Sequence, residues 1–269
     1  MKHPSQIQRF LPISWLIGII FGCQEPPEKI PEFVIDDVFN IGLYESNNFS
    51  GQAGEIVTLL SMSSDTIYPC LNFEIVADLS ATGHSLYIDI RDISIGPVCL
   101  TALGPATYNE VVDLDSGYSA LIVSNGQRAI EIGLSVTDSV IHLEGNSNQY
   151  FNIIENEVWR YRPNSFYYSC GTTEETAWMY TAFRDTILSV NGITQSHYPE
   201  TGWIPYPRSS SGHYVDHECL YFEYSAESTW ELVKEKLINF TVENITANTG
   251  VGLAVTNWRG DSELSWLWN

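Results

Sequence analysis

The chain has 269 residues, and its 12 Lys and Arg against 33 Asp and Glu give a formal net charge of −21. This acidity excludes the clustered basic surface that binding to a nucleic-acid backbone or to anionic lipid requires. A hydrophobic content of 44%, with 13% aromatic residues, is too high for a disordered acidic chain and predicts one large or two medium folded domains.

Residues 1–22 have the pattern of a secretory signal. Lys2 and Arg9 form a short positive region, and residues 10–22 are almost entirely apolar. A transmembrane helix needs about 20 apolar residues, so this segment is too short to span a bilayer. It does suit the hydrophobic region of a signal peptide.

The signal ends in Ile20-Phe21-Gly22-Cys23. This sequence resembles the lipobox of bacterial lipoproteins, in which an apolar, a variable and a small residue precede a Cys. The resemblance covers only the leader. It implies that Cys23 carries acyl chains, each buried CH₂ of which contributes about 0.8 kcal/mol of membrane binding. Gln24 in place of Asp implies an outer-membrane location, on the periplasmic or surface face. The alternatives are an ordinary signal peptide with a chance Cys and an N-terminal anchor helix.

Residues 23–32 contain three prolines and alternating charges. Such a composition is typical of a stiff, extended tether. The folded part is therefore expected to begin near Phe33.

Four cysteines other than Cys23 are left in the mature chain, Cys70, Cys99, Cys170 and Cys219. An even number of cysteines in an exported protein favours disulfides, and four cysteines allow three connectivities. The sequential pairing, Cys70–Cys99 and Cys170–Cys219, keeps each bridge inside one predicted domain. Four buried free thiols are the alternative.

Residues 33–145 have the short, alternating apolar segments of β-strands, most clearly in Ser85–Ile93. Asn125-Gly126 is the strongest hairpin signal in the chain. Many short strands separated by turns predict a β-sandwich. Leu114–Tyr118 resembles the turn and tyrosine that begin a late strand of immunoglobulin-like sandwiches, so the domain is predicted to be Ig-like.

Residues 150–269 combine two helices with several strands. Thr172–Glu175 and Ser228–Glu231 have the pattern of capping boxes. Each precedes a stripe of apolar residues spaced three and four apart, which predicts a helix. The strands are predicted at Val158–Tyr161, Phe166–Ser169, Leu220–Tyr224, Ile238–Val242 and Gly252–Asn257. The order predicts a two-layer α+β domain, and a ferredoxin-like topology is one arrangement of it.

His213-Tyr-Val-Asp-His217 is the sharpest candidate for chemistry. Two histidines four residues apart can bind one metal ion from a helix. The preceding run Ser209–Ser211 indicates a flexible linker, and Cys219–Tyr224 indicates a strand, so a helical spacing is not expected here. Exposed loop histidines are the alternative, and no cofactor is predicted.

Several aromatic residues are candidates for ligand contacts. Trp203, Tyr206 and Tyr214 lie in or near a Pro- and Gly-rich loop, and Trp266 and Trp268 crowd the C-terminus. Exposed aromatic rings stack on sugars or fill the pockets of partner proteins. The alternative is that these rings cap the α+β core.

Two functional hypotheses follow. The first is a membrane-tethered, non-catalytic binding or structural module of the bacterial envelope, with a bilayer contact through its acyl chains and a glycan or envelope protein as partner. The second is an exported hydrolase, metal-dependent or carboxylate-based, centred on His213 and His217.

Overall fold

The described residues are 49% strand and 15% helix, so the fold is mainly β, as predicted. The computed structural model describes residues 35–47, 54–95, 102–114, 117–126, 128–247 and 249–268. The leader with Cys23, the tether at 23–32 and Cys99 lie outside these residues. Within the described ranges no helix is both long and apolar enough to span a membrane.

The first sheet has ten strands in the described ranges and curls around one hydrophobic core. Its strands are β1 (Phe39–Ser46), β2 (Val57–Tyr68), β3 (Phe73–Thr82), β4 (Ser85–Ile95), β5 (Gly104–Val112), β6 (Ala120–Asn125), β7 (Arg128–Val136), β8 (Val140–Glu144), β9 (Phe151–Ile153) and β10 (Glu157–Trp159). They follow the order β10-β8-β7-β6-β4-β3-β5-β2-β1-β9.

The pairing pattern of this sheet differs from that of an immunoglobulin-type sandwich, whose two sheets are antiparallel. Here β1–β9, β3–β5 and β4–β6 are parallel pairs, and the ten strands form one continuous order. The Ig-like prediction is therefore not confirmed. Tyr118 packs against the core. An alternation of period two in the sequence indicates which face of the sheet a side chain occupies. It does not indicate which strand pairs with which.

The predicted hairpin at Asn125-Gly126 is present but begins one residue later. Asn125 pairs with Arg128, so the connection starts at Gly126, whose φ of 62° suits a glycine. The side chain of Asn125 is fully buried, where its Oδ1 accepts from the N–H of Ile35 (3.0 Å) and its Nδ2 donates to the Ile35 carbonyl (2.6 Å). This Asn thus fastens the chain that precedes β1 to the sheet.

The second sheet is antiparallel throughout its described pairings. Its strands are β11 (Ser165–Thr172), β12 (Ile193–Ser196), β13 (Val215–Asp216), β14 (Leu220–Tyr224), β15 (Gly252–Asn257) and β16 (Ser262–Leu264). They follow the order β12-β14-β11-β15-β16, and β13 pairs with β11. A short 3-10 helix, Ser265–Leu267, follows β16.

Two helices cover one face of this sheet, α1 (Trp178–Leu188) and α2 (Glu227–Asn244). The predicted stripes are confirmed, because the side chains that pack on the sheet are Met179, Phe183 and Ile187 from α1 and Trp230, Val233, Leu237 and Phe240 from α2. The strand predicted at 238–242 is wrong. Those residues continue the helical spacing and belong to α2.

Both predicted capping boxes are wrong in position. Thr172 is the last residue of β11, and α1 begins only after Ala177. The N-cap of α2 is Ala226. Neither N-cap makes a side-chain capping bond among the described residues. Burial of the apolar stripe holds these helices on the sheet, consistent with the rule that tertiary packing outweighs local signals.

The segment that joins the two sheets is held by a buried carboxylate. The Glu45 side chain in β1 is 1% exposed, and its Oε1 lies 2.6 Å from Nε of Arg160. Its Oε2 accepts from the N–H of Tyr161 (2.7 Å). Both sheets lie within one compact unit, Phe33–Asn269.

Candidate functional site

The segment between β12 and β14 carries most of the predicted site residues, and it is ordered by backbone pairing. The N–H of Cys219 donates to the Arg208 carbonyl (2.8 Å), and the N–H of Ser210 donates to the His217 carbonyl (2.9 Å). We call residues 208–219 the serine hairpin. The Ser210 hydroxyl donates to the Cys170 carbonyl (2.6 Å), and this bond holds the serine hairpin against β11. The flexible linker expected for the serines is therefore a paired hairpin.

His213 and His217 lie on opposite faces of the second sheet. His217 hydrogen-bonds through Nε2 to the Thr172 hydroxyl (2.9 Å) and stacks on the ring of Tyr180, with centroids 4.5 Å apart. The His213 ring lies directly over Gly171, where a Cβ would overlap it. Gly171 and Thr172 are consecutive in β11, so their side-chain directions point to opposite faces.

The predicted metal pair is therefore not assembled. The two imidazoles diverge, and no group of three or more His, Cys, Asp or Glu in the described residues could hold a metal ion. Burial lowers the pKa of His217, and the nearby Asp216 carboxylate opposes that shift.

The predicted Cys170–Cys219 disulfide is wrong. Among the described residues both are buried free cysteines. Cys170 points to the helix face with Tyr168. Burial raises the pKa of Cys170 to about 11 and that of Cys219 to about 12, so both thiols stay protonated near neutral pH.

The other predicted pair involves a residue that the structure does not describe. Cys70 is buried and disulfide-bonded. Cys99 lies outside the described residues, so the Cys70–Cys99 pairing stays a prediction.

Two of the three predicted ligand-binding aromatics pack inside the protein. Trp203 contacts the first core, with its ring 5.8 Å from that of Tyr44. Tyr206 is 4% exposed, and its hydroxyl lies 2.8 Å from the Ser165 hydroxyl. Burial raises the pKa of Tyr206 well above its ordinary value. Trp203 and Tyr206 therefore have packing roles, but Trp203 packs on the core of the first sheet and not on the α+β core that the alternative named.

Tyr214 is different, because it is 89% exposed at the tip of the serine hairpin. Two other rings stand beside it over the start of β15. A Cβ built on Gly250 would lie 3.8 Å from the Tyr214 ring, and one on Gly252 would lie 2.7 Å from His213 and 3.6 Å from Trp266. We call Tyr214, His213 and Trp266 the aromatic row.

Two recesses flank the aromatic row. One of about 220 Å³, the serine recess, has His213 and Trp266 as walls, and its remaining lining includes Ser169, Gly171, Ser209, Ser211 and Gly252. The other, of about 590 Å³, is bordered by Tyr214 and lined by Thr173, Glu174, Glu175, Thr176, Val215 and Thr249. Hydroxyl groups therefore border the row on both sides, and carboxylates do so on one.

The sequence predicts Tyr214 as a ligand contact, but it does not predict that Tyr214 lies beside His213 and Trp266. By sequence His213 is a candidate metal ligand, and Trp266 belongs to a C-terminal aromatic group. Gly171 and Gly252 pair across β11 and β15 and leave room for the His213 ring. A glycine in a strand interior often marks a close approach by another group, and this was the available signal.

Comparison of the chain with protein-family models, with curated proteins and with solved structures gives no match.

Proposed function

We propose that this chain is an exported, membrane-anchored lipoprotein whose folded part is a non-catalytic binding module of the bacterial envelope. The exposed aromatic row carries the proposal. Tyr214 is 89% and Trp266 53% exposed, and both border recesses lined by polar side chains. Rings that stand free beside hydroxyls and carboxylates are suited to contact a partner, since aromatic anchors supply much of the energy of recognition.

The anchoring part of the proposal rests on the leader. Ile20-Phe21-Gly22-Cys23 follows an apolar segment in the manner of a lipobox, and the bilayer is then a partner through acyl chains on Cys23. The proposed location is the outer membrane, on its periplasmic or surface face. The remaining partner is a glycan or an envelope protein, and the charge of −21 disfavours nucleic acid.

Three observations support a non-catalytic role over the hydrolase centred on His213 and His217. The two imidazoles lie on opposite faces of the sheet. Burial keeps the thiols of Cys170 and Cys219 protonated. The Ser210 hydroxyl is engaged with the Cys170 carbonyl. The Thr172 hydroxyl does lie 2.9 Å from Nε2 of His217, but Thr172 is fully buried, so this hydroxyl is not accessible to a substrate.

We also infer a ferredoxin-like arrangement for the second sheet. The elements β11-α1-β12-β14-α2-β15 alternate as strand, helix, strand, strand, helix and strand. The strand order β12-β14-β11-β15 supports this inference, because the two halves of a split β-α-β motif interleave in the same order. β13 and β16 are additions to that pattern.

Photo-crosslinking in cells tests the binding module without knowledge of the partner. Benzoylphenylalanine replaces Tyr214 in one variant and the 38%-exposed Tyr87 of the first sheet in a control. We expect a discrete adduct from position 214 and none from position 87. Equal labelling at both positions, or none at either, overturns the proposal.

The anchor is tested separately. Cys23→Ser should abolish labelling with an alkyne fatty acid and move the protein out of the membrane fraction. Unchanged partitioning, or a wild-type protein that takes up no label, contradicts lipidation at Cys23.

A further inference from the structure

We infer that the aromatic row and the serine recess bind a neutral carbohydrate, one sugar unit of which enters the recess while the chain continues across Tyr214. This inference rests on the proposed binding function and names the chemical class of the ligand. The surface combines exposed aromatic faces with unengaged hydrogen-bonding groups, and a sugar presents the complement of both.

Several polar side chains that line the serine recess make no hydrogen bond within the described part of the chain. Within the described ranges, neither ring nitrogen of His213 has a hydrogen-bond partner, and the same holds for the hydroxyls of Ser169, Ser209 and Ser211. By contrast Ser210, in the same run, is engaged with β11. Groups that can both donate and accept therefore converge on one small recess, as the hydroxyls of a sugar require.

The rings supply the apolar part of the contact. The C–H groups of a pyranose face are weakly positive and the face of an aromatic ring is negative, so the two stack favourably. Tyr214 is exposed over most of its surface, and Trp266 forms a wall of the recess. A sugar on these rings would therefore have the recess hydroxyls at its edge.

The size of the recess limits what enters it. Its volume of about 220 Å³ lies below the roughly 300–1,000 Å³ typical of pockets for drug-sized ligands. A single ring or its hydroxymethyl group suits this space better than a disaccharide. The second recess, of about 590 Å³, lies on the Tyr214 side and has room for a neighbouring unit.

Charge selects among glycans. The chain carries a net −21, and Glu174 and Glu175 line the second recess. Polyanionic glycans would meet repulsion at this surface. Carboxylates accept hydrogen bonds from sugar hydroxyls, so neutral glycans satisfy the same groups.

Affinity electrophoresis of the intact, detergent-solubilised lipoprotein tests this inference. The gels contain a neutral β-glucan, a galactomannan or a xyloglucan, and polygalacturonate serves as the anionic comparison. We expect retardation by at least one neutral polymer and none by polygalacturonate. Tyr214→Ala and Trp266→Ala should each weaken that retardation at least tenfold, and Ser211→Ala less. Tyr87→Ala, in the first sheet, should leave it unchanged.

Each outcome decides the question. No retardation by any neutral polymer, or equal retardation by polygalacturonate, overturns the neutral-carbohydrate inference. If crosslinking at position 214 still yields an adduct, the binding module stands and only the ligand class is wrong. If Trp266→Ala loses retardation with an unchanged circular dichroism spectrum, misfolding does not explain the loss.

Discussion

Two groups of aromatic side chains lie on the same face of the second sheet and differ in the residue of β11 that lies beneath them. Toward one end of β11, Tyr167 meets Tyr206, with ring centroids 5.2 Å apart, and Tyr206 is buried. Two alternations further along, Gly171 lies under His213, next to the exposed Tyr214 and Trp266. The large side chain of Tyr167 fills the space beside Tyr206, whereas Gly171 has no side chain and leaves a recess.

This difference indicates that one group of rings stabilises the protein and the other is available for binding. The rings around Tyr206 pack beside the segment that joins the sheets. In that segment the Tyr161 ring contacts Tyr206, and the Tyr161 N–H donates to Glu45. The rings of the aromatic row are more exposed, with Tyr214 at 89% and Trp266 at 53%. We therefore expect substitutions in the first group to change the stability of the protein and substitutions in the second to change binding.

The largest expected effect comes from Tyr206→Ala. It removes a buried ring and its hydrogen bond to Ser165, and truncation of a buried aromatic costs roughly 3–5 kcal/mol. Tyr214→Ala is the matched control and should change the free energy of unfolding by about 0.5 kcal/mol or less, because that ring is 89% exposed. Urea denaturation followed by tryptophan fluorescence measures both. Equal losses of unfolding free energy in the two variants would contradict the division into a stabilising and a binding group of rings.

Glu45→Ala should follow, with a loss of about 3 kcal/mol. Breaking a buried ion pair typically costs about 3–5 kcal/mol. The lower end applies here, because the Arg160 side chain left behind is 28% exposed and can be hydrated.

The matched control for this pair is Glu223→Ala. Glu223 is 47% exposed and pairs with Arg162 of the same joining segment at 3.1 Å. An exposed pair of this kind contributes about 0–1 kcal/mol. If the two variants unfold at the same urea concentration, burial of Glu45 does not set the strength of the junction.

The elements that could be predicted from the sequence are those whose signal is local. Leu86, Ile88 and Ile90 alternate with exposed neighbours, and β4 is buried at those three positions. The stripe on α2 likewise matches its buried face. Strand partners, by contrast, depend on residues far away in the chain, and so the parallel pairing of β4 with β6 had no local signal.

The candidate site shows the same limit. Tyr206 is buried because it packs against Tyr161, Tyr167 and other rings from distant parts of the chain, whereas Tyr214 is exposed at the tip of the serine hairpin. Neither outcome has a signal in the local sequence. The spacing of His213 and His217 indicated a shared ligand only if the segment were helical. β13 covers only Val215 and Asp216, and His213 lies in the bend before it, so neither helical nor strand spacing relates the two rings, which lie on opposite faces of the sheet.

Gly171→Ala is expected to have an intermediate effect that connects stability with binding. The new Cβ would overlap the His213 ring, which must then leave its seat. Overpacking of this kind costs about 1–3 kcal/mol, and loss of the recess wall should abolish polysaccharide retardation. Gly42→Ala is the control, since its Cβ would lie at an ordinary 3.5 Å from Ile154. Unchanged His213 ring resonances in the Gly171→Ala variant would contradict the proposed seat.

The smallest expected effect is the pH dependence contributed by His217, on the helix face. Burial lowers its folded-state pKa below the unfolded value of 6.5. Above pH 6.5 the ring is neutral in both states and its full contribution to stability is present. As the pH falls below 6.5, the unfolded state binds the proton first, and stability is lost until the pH reaches the folded-state pKa.

Wild type should therefore lose more stability than His217→Gln between about pH 7 and pH 5, as measured in parallel urea titrations. His213→Gln serves as the comparison on the opposite face. If wild type and His217→Gln lose stability in parallel, the ring stacked on Tyr180 is as accessible to protons as it is in the unfolded chain.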